Sequence, residues 1–316
     1  MTRLLDPASL RSAAPALFLL LLVVAIAIAE PGFGTPDTLL IVLADTTTLF
    51  TLAAGVTFVI LLGSIDLSIP SVASLSTVIV ALLLPQIGVG AFAVALAAGA
   101  TAGLVSGVVH VRLRVPSFIA TLASGGVVGG VALYISDARN IAIPAETRAL
   151  LDWITGSTAG VPNIIGVGVV ALAIGVYLQR YSRFGRYSLA IGAGEPAAWA
   201  AGIRVNRHKI LAFVLSGAFA ALAGILLAAR LASGSPTVAN QLLLPAISAV
   251  LVGGTAITGG IGGIGRTLVG ALTVSVVRIG MTFLGVNIFA QQMVFGTVLI
   301  LAVAITLDRG KILIAK

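Results

Sequence analysis

The chain alternates between long apolar runs and short polar connectors along almost its whole length. Ten apolar runs stand out, at residues 15–29, 38–62, 71–84, 88–109, 117–135, 163–178, 211–229, 242–258, 267–284 and 288–307. A helix that crosses a bilayer needs about 20 mostly apolar residues, and most of the runs approach that length. The third, sixth and eighth runs are short, which is typical of broken helices that line a cavity. The pattern predicts an all-α polytopic membrane protein with about ten transmembrane helices.

Two polar connectors are long enough to have a structure of their own. Residues 136–162 mix acidic, basic and aromatic side chains and are predicted to cap the outer face. Residues 179–210 form the longest and most basic connector, which is predicted to be cytoplasmic. Within it, Glu195 and Pro196 suit a first helical turn, because an acid favours the N-terminal dipole and proline fits the first positions. Alanines continue this helix and Gly202 ends it, so a short helix on the cytoplasmic face is predicted.

The basic residues are distributed unevenly between the two sets of connectors. With ten spans and an internal N-terminus, the inner side holds Arg3, Arg11, Arg112, Arg114, Arg180, Arg183, Arg186, Arg204, Arg207, Lys209, Arg266, Arg309, Lys311 and Lys316. The outer side holds Arg139, Arg148 and Arg230. Because cytoplasmic loops are enriched in Lys and Arg, both termini are predicted to be cytoplasmic.

The first apolar run has two interpretations. It ends in Ala27-Ile28-Ala29, which has the pattern of a signal-peptidase site after a short apolar segment. The run is therefore either a retained membrane anchor or a cleaved signal, and cleavage would leave nine spans in an unchanged orientation.

The composition agrees with a membrane protein and excludes several other classes. Hydrophobic residues make up 59% of the 316 residues and charged residues only 9%, whereas a soluble domain has about 25% charged residues. A soluble enzyme, a disordered chain and a nucleic-acid binder are therefore excluded, and the net charge of +8 belongs to the connectors. With no cysteine and two histidines, the sequence predicts no catalytic centre, no metal site and no bound cofactor.

Glycines occur in two informative patterns. Gly99, Gly103 and Gly107 repeat at every fourth position, which lets two helix backbones approach closely in lipid. Residues 260–267 nearly match two nucleotide-binding patterns, but both need a preceding strand, and Arg266 stands where the P-loop requires lysine. A tight turn between two helices is predicted there, with Arg266 at the cytoplasmic surface.

Few ionisable side chains fall at membrane depth, where they are costly and therefore candidates for function. Asp45 either lies hydrated near the outer interface or lines a substrate pathway, and Arg278 either binds a polar ligand or extends to an interface. Either Asp66 or Ser68 is predicted to cap the helix that follows them. The candidates for the substrate path are Asp45, Thr47, Asp66, Ser68, Asn240 and Arg278.

Several motifs follow one another in a characteristic order. Residues 63–71 read Gly-Ser-Ile-Asp-Leu-Ser-Ile-Pro-Ser, and the loop at 184–203 contains Gly-Ala-Gly-Glu-Pro-Ala-Ala-Trp-Ala-Ala-Gly-Ile. They are followed by Arg207-His-Lys209, Leu215-Ser-Gly217, Ala223-Gly224, residues 245–260 and residues 284–286. Together they resemble the ribose-type (monosaccharide or autoinducer) branch of the ATP-binding-cassette (ABC) import permeases, and the resemblance covers nearly the whole chain.

The resemblance implies the inner-membrane component of a binding-protein-dependent transport system, with residues 1–316 as a single permease domain. It implies three partners: a cytoplasmic ATPase with two nucleotide domains that binds ATP and Mg²⁺, a periplasmic or lipid-anchored solute-binding protein, and a second, identical or paralogous, permease chain. No nucleic acid is expected. The ATPase contacts implied by the loop are Gly192, Gly194, Glu195, Pro196, Ala198 and Gly202.

The sequence departs from the family pattern in places. Ser64 and Pro70 replace glycines, and Leu243-Leu244-Pro245 stands where many relatives carry an acidic stretch. The cargo therefore stays open among a monosaccharide, a polyol, a nucleoside and an autoinducer. The second hypothesis is an ion-coupled secondary transporter that uses Asp45, and a membrane-embedded enzyme is disfavoured because no nucleophile, base or metal cluster is visible.

Overall fold

The computed structural model describes residues 7–306, and the predicted inner residues Arg3, Arg309, Lys311 and Lys316 lie outside this part. Thirteen α-helices make up most of the described chain. They are α1 (Pro7–Ala29), α2 (Pro36–Leu61), α3 (Ile69–Ile87), α4 (Gly90–Arg112), α5 (Ser117–Ile135), α6 (Asp152–Thr155), α7 (Asn163–Val176), α8 (Arg183–Ala193), α9 (Glu195–Ala200), α10 (Val205–Leu231), α11 (Leu243–Val252), α12 (Ile264–Phe283) and α13 (Ile288–Thr306). The protein is therefore a predominantly helical, multi-pass membrane protein.

The number of full-length spans is lower than the predicted ten. Within residues 7–306, seven helices are long and apolar enough to cross a bilayer, and α7 counts among them only with the π-helical turn Tyr177–Tyr181 that extends it. The apolar part of α1 is shorter, and α11 has ten residues, about half of what a span needs. The eighth apolar run is thus a short helix followed by a turn, as the pattern predicts for a broken span.

The prediction that the third span is short is wrong. Helix α3 has 19 residues because neither proline interrupts it. Pro70 lies in the first turn, where a backbone N–H has no partner in any helix, and Pro85 lies in the last turn.

Helices α2 and α10 form the centre of the bundle. Every residue of α2 from Thr46 to Leu61 is buried, and α10 packs against α2, α3 and α4. By contrast, α4, α5 and α7 expose most of their apolar surface. In a membrane, such faces contact lipid or another chain, whereas α2 and α10 form the core of the bundle.

The glycine ladder of α4 is the contact with α10, as its spacing predicts. A Cβ atom at Gly103 would overlap the backbone carbonyl oxygen of Phe213, and a Cβ at Gly99 would overlap that of Gly217. Gly107 lies against the backbone of Ile210. The two helices therefore touch backbone to backbone over about two turns.

Replacing Gly103 with alanine is expected to lower the thermal unfolding temperature of the detergent-solubilised protein, because overpacking a tight contact costs about 1–3 kcal/mol. Gly130→Ala on α5 is the matched control, since a Cβ there has no atom within 4 Å. The control is expected to be neutral or to stabilise by up to about 1 kcal/mol, the helix preference of alanine over glycine. Equal unfolding temperatures for the two variants would contradict the close contact.

The cap segment, residues 136–162, is partly anchored in the bundle. It contains α6, and the side chains of Ile143, Leu151 and Ile154 are buried. Three two-residue strands that the sequence does not predict also occur here, β1 (Ile141–Ala142), β2 (Ser157–Thr158) and β3 (Val161–Pro162), and a fourth, β4 (Ser233–Gly234), lies outside the segment. β1 pairs antiparallel with β4, and β4 directly follows α10 in the chain. The cap segment therefore lies at the end of the bundle where α10 ends. We call this the cap end, and the opposite end, with residues 179–210, the loop end.

Candidate substrate cavity and coupling surface

Asp45 belongs to a charged cluster near the cap end. Its Oδ2 contacts Nη2 of Arg278, and its Oδ1 lies 3.7 Å from Nη1 of Arg230. The side chains of Asp45, Arg278 and Arg230 are 13%, 26% and 37% exposed, so the cluster is largely shielded. One carboxylate is therefore shared by two guanidinium groups.

Three helices bring this cluster together. Asp45 follows the start of α2 by less than three turns, Arg230 lies in the last turn of α10, and Arg278 lies in the second half of α12. All three positions are near the cap end because α2 runs away from it and α10 and α12 run towards it. The helix directions alone thus place the three charged groups at one depth.

A cavity of about 330 Å³ opens beside the cluster, and we call it the cap-end cavity. Its polar lining consists of Arg230, Gln241, Arg278, Gln291 and Gln292. A volume of this size is at the small end of ligand sites in proteins. The amides and guanidinium groups supply many hydrogen-bond donors, the chemistry that recognises hydroxyl and anionic groups.

The structure separates the predicted substrate-path residues into groups. It brings Asp45 and Arg278 together, and Asn240 lines a second space of about 350 Å³ that shares Gln241 and Gln292 with the cap-end cavity. Thr47 instead donates to the Leu43 carbonyl oxygen and packs against α7.

Three lining residues were missed by sequence reasoning. Arg230 was assigned only to an outer connector, and Gln291 and Gln292 fall inside an apolar run. A pair of amides within such a run is the one sequence feature that points to the cavity.

Asp66 and Ser68 lie at the other end of α2, in the segment between α2 and α3. The carboxylate of Asp66 is fully buried and accepts hydrogen bonds from the backbone N–H of Ser68 at 2.9 Å and from its hydroxyl at 2.6 Å. Asp66 therefore holds Ser68, the residue before α3, and within the described residues no side-chain hydrogen bond caps the first turn of α3, unlike the prediction. Along α2, Asp45 lies about 24 Å from the helix end beside Asp66, so the two acids belong to different sites.

The short helix predicted in the longest connector is present as α9 (Glu195–Ala200). Pro196 lies in its first turn, and Gly202 follows it with a φ of +79°, a conformation that favours glycine. Ala198 is the buried residue of this helix. Glu195 forms an ion pair with Lys209 of α10 at 2.7 Å, which ties the first turn of α9 to the bundle.

The outer side of α9 forms an exposed surface that combines aromatic and basic groups. Trp199 is 75% exposed. Beside it, a groove of about 1010 Å³ is bordered by Arg112 of α4 and by Arg204 and Arg207 at the start of α10. We call Trp199 and these three arginines the loop-end surface. Exposed tryptophan and arginine are the residues most often found at the energetic centre of protein interfaces.

A tight junction connects α9 to the helices that carry the charged cluster. Just before α9, a Cβ at Gly192 would overlap the Leu61 carbonyl oxygen at the end of α2 and the backbone nitrogen of Gly260. The N–H of Gly260 also donates to that Leu61 oxygen at 3.0 Å. Backbone therefore touches backbone here, with no side chain between the three segments.

Gln179 adds a second connection at the same place. Its Nε2 donates to the Gly262 carbonyl oxygen at 3.2 Å, and its Oε1 accepts from the N–H of Ile264, the first residue of α12, at 2.8 Å. Gln179 lies in the π-helical turn, a feature frequent at functional sites. The loop is thus bonded to the start of α12 through Gln179 and packed against the end of α2 through Gly192, and these two helices carry Arg278 and Asp45.

Residues 260–263 of the glycine-rich stretch lie in a turn between α11 and α12, as predicted, and residues 264–267 begin α12. Helix α11, not a strand, precedes the turn. The N–H of Gly263 is already bonded to the Thr255 hydroxyl at 3.2 Å, and that of Ile264 to Gln179. Because these two donors are used within the protein, they are not available to a phosphate group.

The chain is similar in sequence to known transport proteins over most of its length. A family described as "branched-chain amino acid transport system / permease component" matches residues 38–303. The ribose import permease protein RbsC of Escherichia coli (strain K12) is 37% identical over 292 residues, which cover 91% of each chain. In the same strain, the probable ABC transporter permease protein YphD is 38% identical over 86% of this chain and 82% of its own. The L-arabinose transport system permease protein AraH of that strain is 38% identical over 82% of this chain and 78% of its own.

No solved structure shows significant similarity to the chain. The family match spans most of the sequence, and the relatives are covered over more than three quarters of their length, so the similarity is not limited to one motif. The chain belongs to the permease components of ABC import systems and, among them, to the ribose-type branch.

Proposed function

We propose that the chain carries a monosaccharide or a sugar-like solute of similar size across the bacterial inner membrane. The observation that carries this proposal is the sequence similarity to permeases named for ribose and L-arabinose, over more than three quarters of each chain. The cap-end cavity supports it, because its volume and its donors suit a small polyhydroxylated solute. As a member of a permease family, the chain is a transport subunit and not an enzyme.

The proposed orientation places the loop end in the cytoplasm and both termini on that side. The loop end carries Arg180, Arg183, Arg186, Arg204, Arg207 and Lys209, whereas the cap end carries Arg139, Arg148 and Arg230. This asymmetry follows the positive-inside rule. Ten membrane segments are then obtained by counting α1, the half-length α11 and α13 with the seven full-length spans.

The partners proposed are those of an ABC importer. A cytoplasmic ATPase with two nucleotide domains binds ATP and Mg²⁺ and docks on the loop-end surface, a second permease chain completes the pore, and a solute-binding protein delivers cargo at the cap end. Closure of the ATPase moves α9, and the backbone junction at Gly192 passes the movement to α2 and α12. Rearrangement of these packed helices alternates access to the cap-end cavity.

The ion-coupled alternative is not supported by the surroundings of Asp45. A proton or cation site needs a carboxylate with free coordination, whereas both oxygens of Asp45 face guanidinium groups. The family membership also points to a separate ATPase as the energy source.

The test is to isolate the complex from native membranes and reconstitute it in liposomes with its solute-binding protein. An ATPase subunit is expected to co-purify, and uptake of radiolabelled ribose, L-arabinose or another small polyol is expected only with internal ATP and Mg²⁺. A full rate of uptake driven by an ion gradient without an ATPase would overturn the proposal.

A further inference from the structure

We infer that the cap-end cavity binds a negatively charged group, so that the cargo is an acidic sugar derivative bearing a carboxylate or a phosphate. This inference rests on the proposed function, since it concerns the cargo of the same site. Three observations support the inference: the excess positive charge of the cavity, the unused N–H donors of its two arginines, and the volume of the cavity.

The arginines of the cavity have far more hydrogen-bonding capacity than the protein uses. Each guanidinium group has five N–H donors, so Arg230 and Arg278 together offer ten. Within residues 7–306, their ionic contacts are limited to the single carboxylate of Asp45, and neither donates a hydrogen bond to another group. Arg230 is the looser partner, at 3.7 Å and 37% exposed. Most of these donors therefore remain available beside the cavity.

The cavity also has an excess of positive charge. Two guanidinium groups and one carboxylate leave a formal charge of +1, and the other polar side chains of the lining are the neutral amides of Gln241, Gln291 and Gln292. Arg230 lies in the last turn of α10, is 37% exposed and reaches the Asp45 carboxylate only at 3.7 Å, so it is free to pair with an anionic ligand. A carboxylate or phosphate matches the planar fork of arginine with two parallel hydrogen bonds.

Asp45 shows which geometry such a ligand would adopt. Its carboxylate lies between the two guanidinium groups, in direct contact with Arg278 and at a longer distance from Arg230. An incoming anion pairs first with Arg230, while Asp45 remains paired with Arg278. The amides, from α13 and from the turn just before α11, then bind hydroxyl groups of the same molecule. With about 330 Å³, the cavity accommodates one monosaccharide-sized ligand.

The experiment compares probes of similar size that differ in charge. The purified complex is titrated in low salt with ribitol, ribonate, ribose and ribose 5-phosphate, and the unfolding temperature and the competition with radiolabelled cargo uptake are measured. At least one charged probe is expected to act at about tenfold lower concentration than its neutral counterpart. A response to ribonate alone assigns a sugar acid, and a response to ribose 5-phosphate alone assigns a sugar phosphate. Equal responses to charged and neutral probes overturn the inference.

Variants test whether the cavity is responsible for this preference. Arg230→Gln is expected to remove the tenfold difference between charged and neutral probes, and Arg230→Lys, which keeps the charge, is expected to retain part of it. Asp45→Asn removes the competing carboxylate and is expected to strengthen binding of the charged probe several-fold. Arg139→Gln is the control, because Arg139 lies in the cap segment at 79% exposure. If Arg230→Gln and Arg139→Gln both keep the preference, the cavity is not the anion site.

The failure of this inference can be distinguished from the failure of the proposed function. If a neutral sugar is taken up with ATP and the charged probes act at the same concentrations as the neutral ones, the proposed function is retained and the inference of an anionic cargo is rejected. If no ATP-dependent uptake of any probe occurs while the solute-binding protein is loaded, both fall.

Discussion

Replacing Gly192 with alanine is expected to reduce ATP-driven uptake by at least about tenfold, the factor that corresponds to 1.4 kcal/mol. Gly192 is the point at which the loop meets the end of α2 and the turn before α12, and a Cβ there would overlap Leu61 and Gly260. The overlapping atoms belong to the backbone, so no side chain can move aside. The three segments must separate, and the movement of α9 then no longer reaches α2 and α12.

A glycine outside the loop provides the control for this experiment. At Gly166 in α7, no atom of the described part of the chain lies within 4 Å of an added Cβ. Gly166→Ala is therefore expected to transport like the unmodified protein. ATP hydrolysis and uptake are measured together in liposomes, and the Gly192 variant is expected to hydrolyse ATP without matching transport. Normal coupling in Gly192→Ala would remove the junction from the mechanism.

Replacing Trp199 with alanine is expected to weaken binding of the ATPase subunit by about 30-fold or more, which corresponds to the 2 kcal/mol of an interface hot spot. Trp199 is 75% exposed and sits at the edge of the arginine-bordered groove, so its ring contributes little to the fold of the isolated permease. The affinity is measured by titrating the purified ATPase onto the permease in nanodiscs, and the unfolding temperature of the permease is expected to stay unchanged.

Tyr134→Ala is the matched control for Trp199→Ala. Tyr134 is 83% exposed and lies at the end of α5 next to the cap segment, away from the loop end. Its loss is expected to leave ATPase binding intact. If both variants bind the ATPase as tightly as the unmodified permease, the loop-end surface is not the docking site.

The sequence predicted the helical segments that depend on local features. α9 was predicted from Glu195, Pro196 and Gly202, because proline and glycine restrict the backbone at the position where they occur. The contact of α4 with another helix was predicted from the four-residue spacing of Gly99, Gly103 and Gly107. In both cases the residues that determine the feature lie within one or two helical turns of one another.

Other features depend on segments far apart in the chain and were missed. Arg230 was assigned to a connector, although it pairs with Asp45, 185 positions earlier in the sequence. The role of Gln179 was not visible either, since its partners lie in the turn before α12. Hydropathy also could not show that Thr47 packs against α7, because a threonine has the same hydropathy on any face of a helix.

The sequence by itself determined that the chain is a multi-pass helical membrane protein, that its longest basic connector contains a short helix, and that it resembles ABC import permeases. The first two properties follow from apolar length, backbone preferences and charge, which act locally, and the resemblance rests on the order of the motifs along the chain. Only the tertiary structure decided that Asp45 is shared by two arginines beside a cavity and that Gly192 joins the loop to the end of α2 and the turn before α12. Such features depend on the depth and direction of helices packed against one another, which no local pattern encodes.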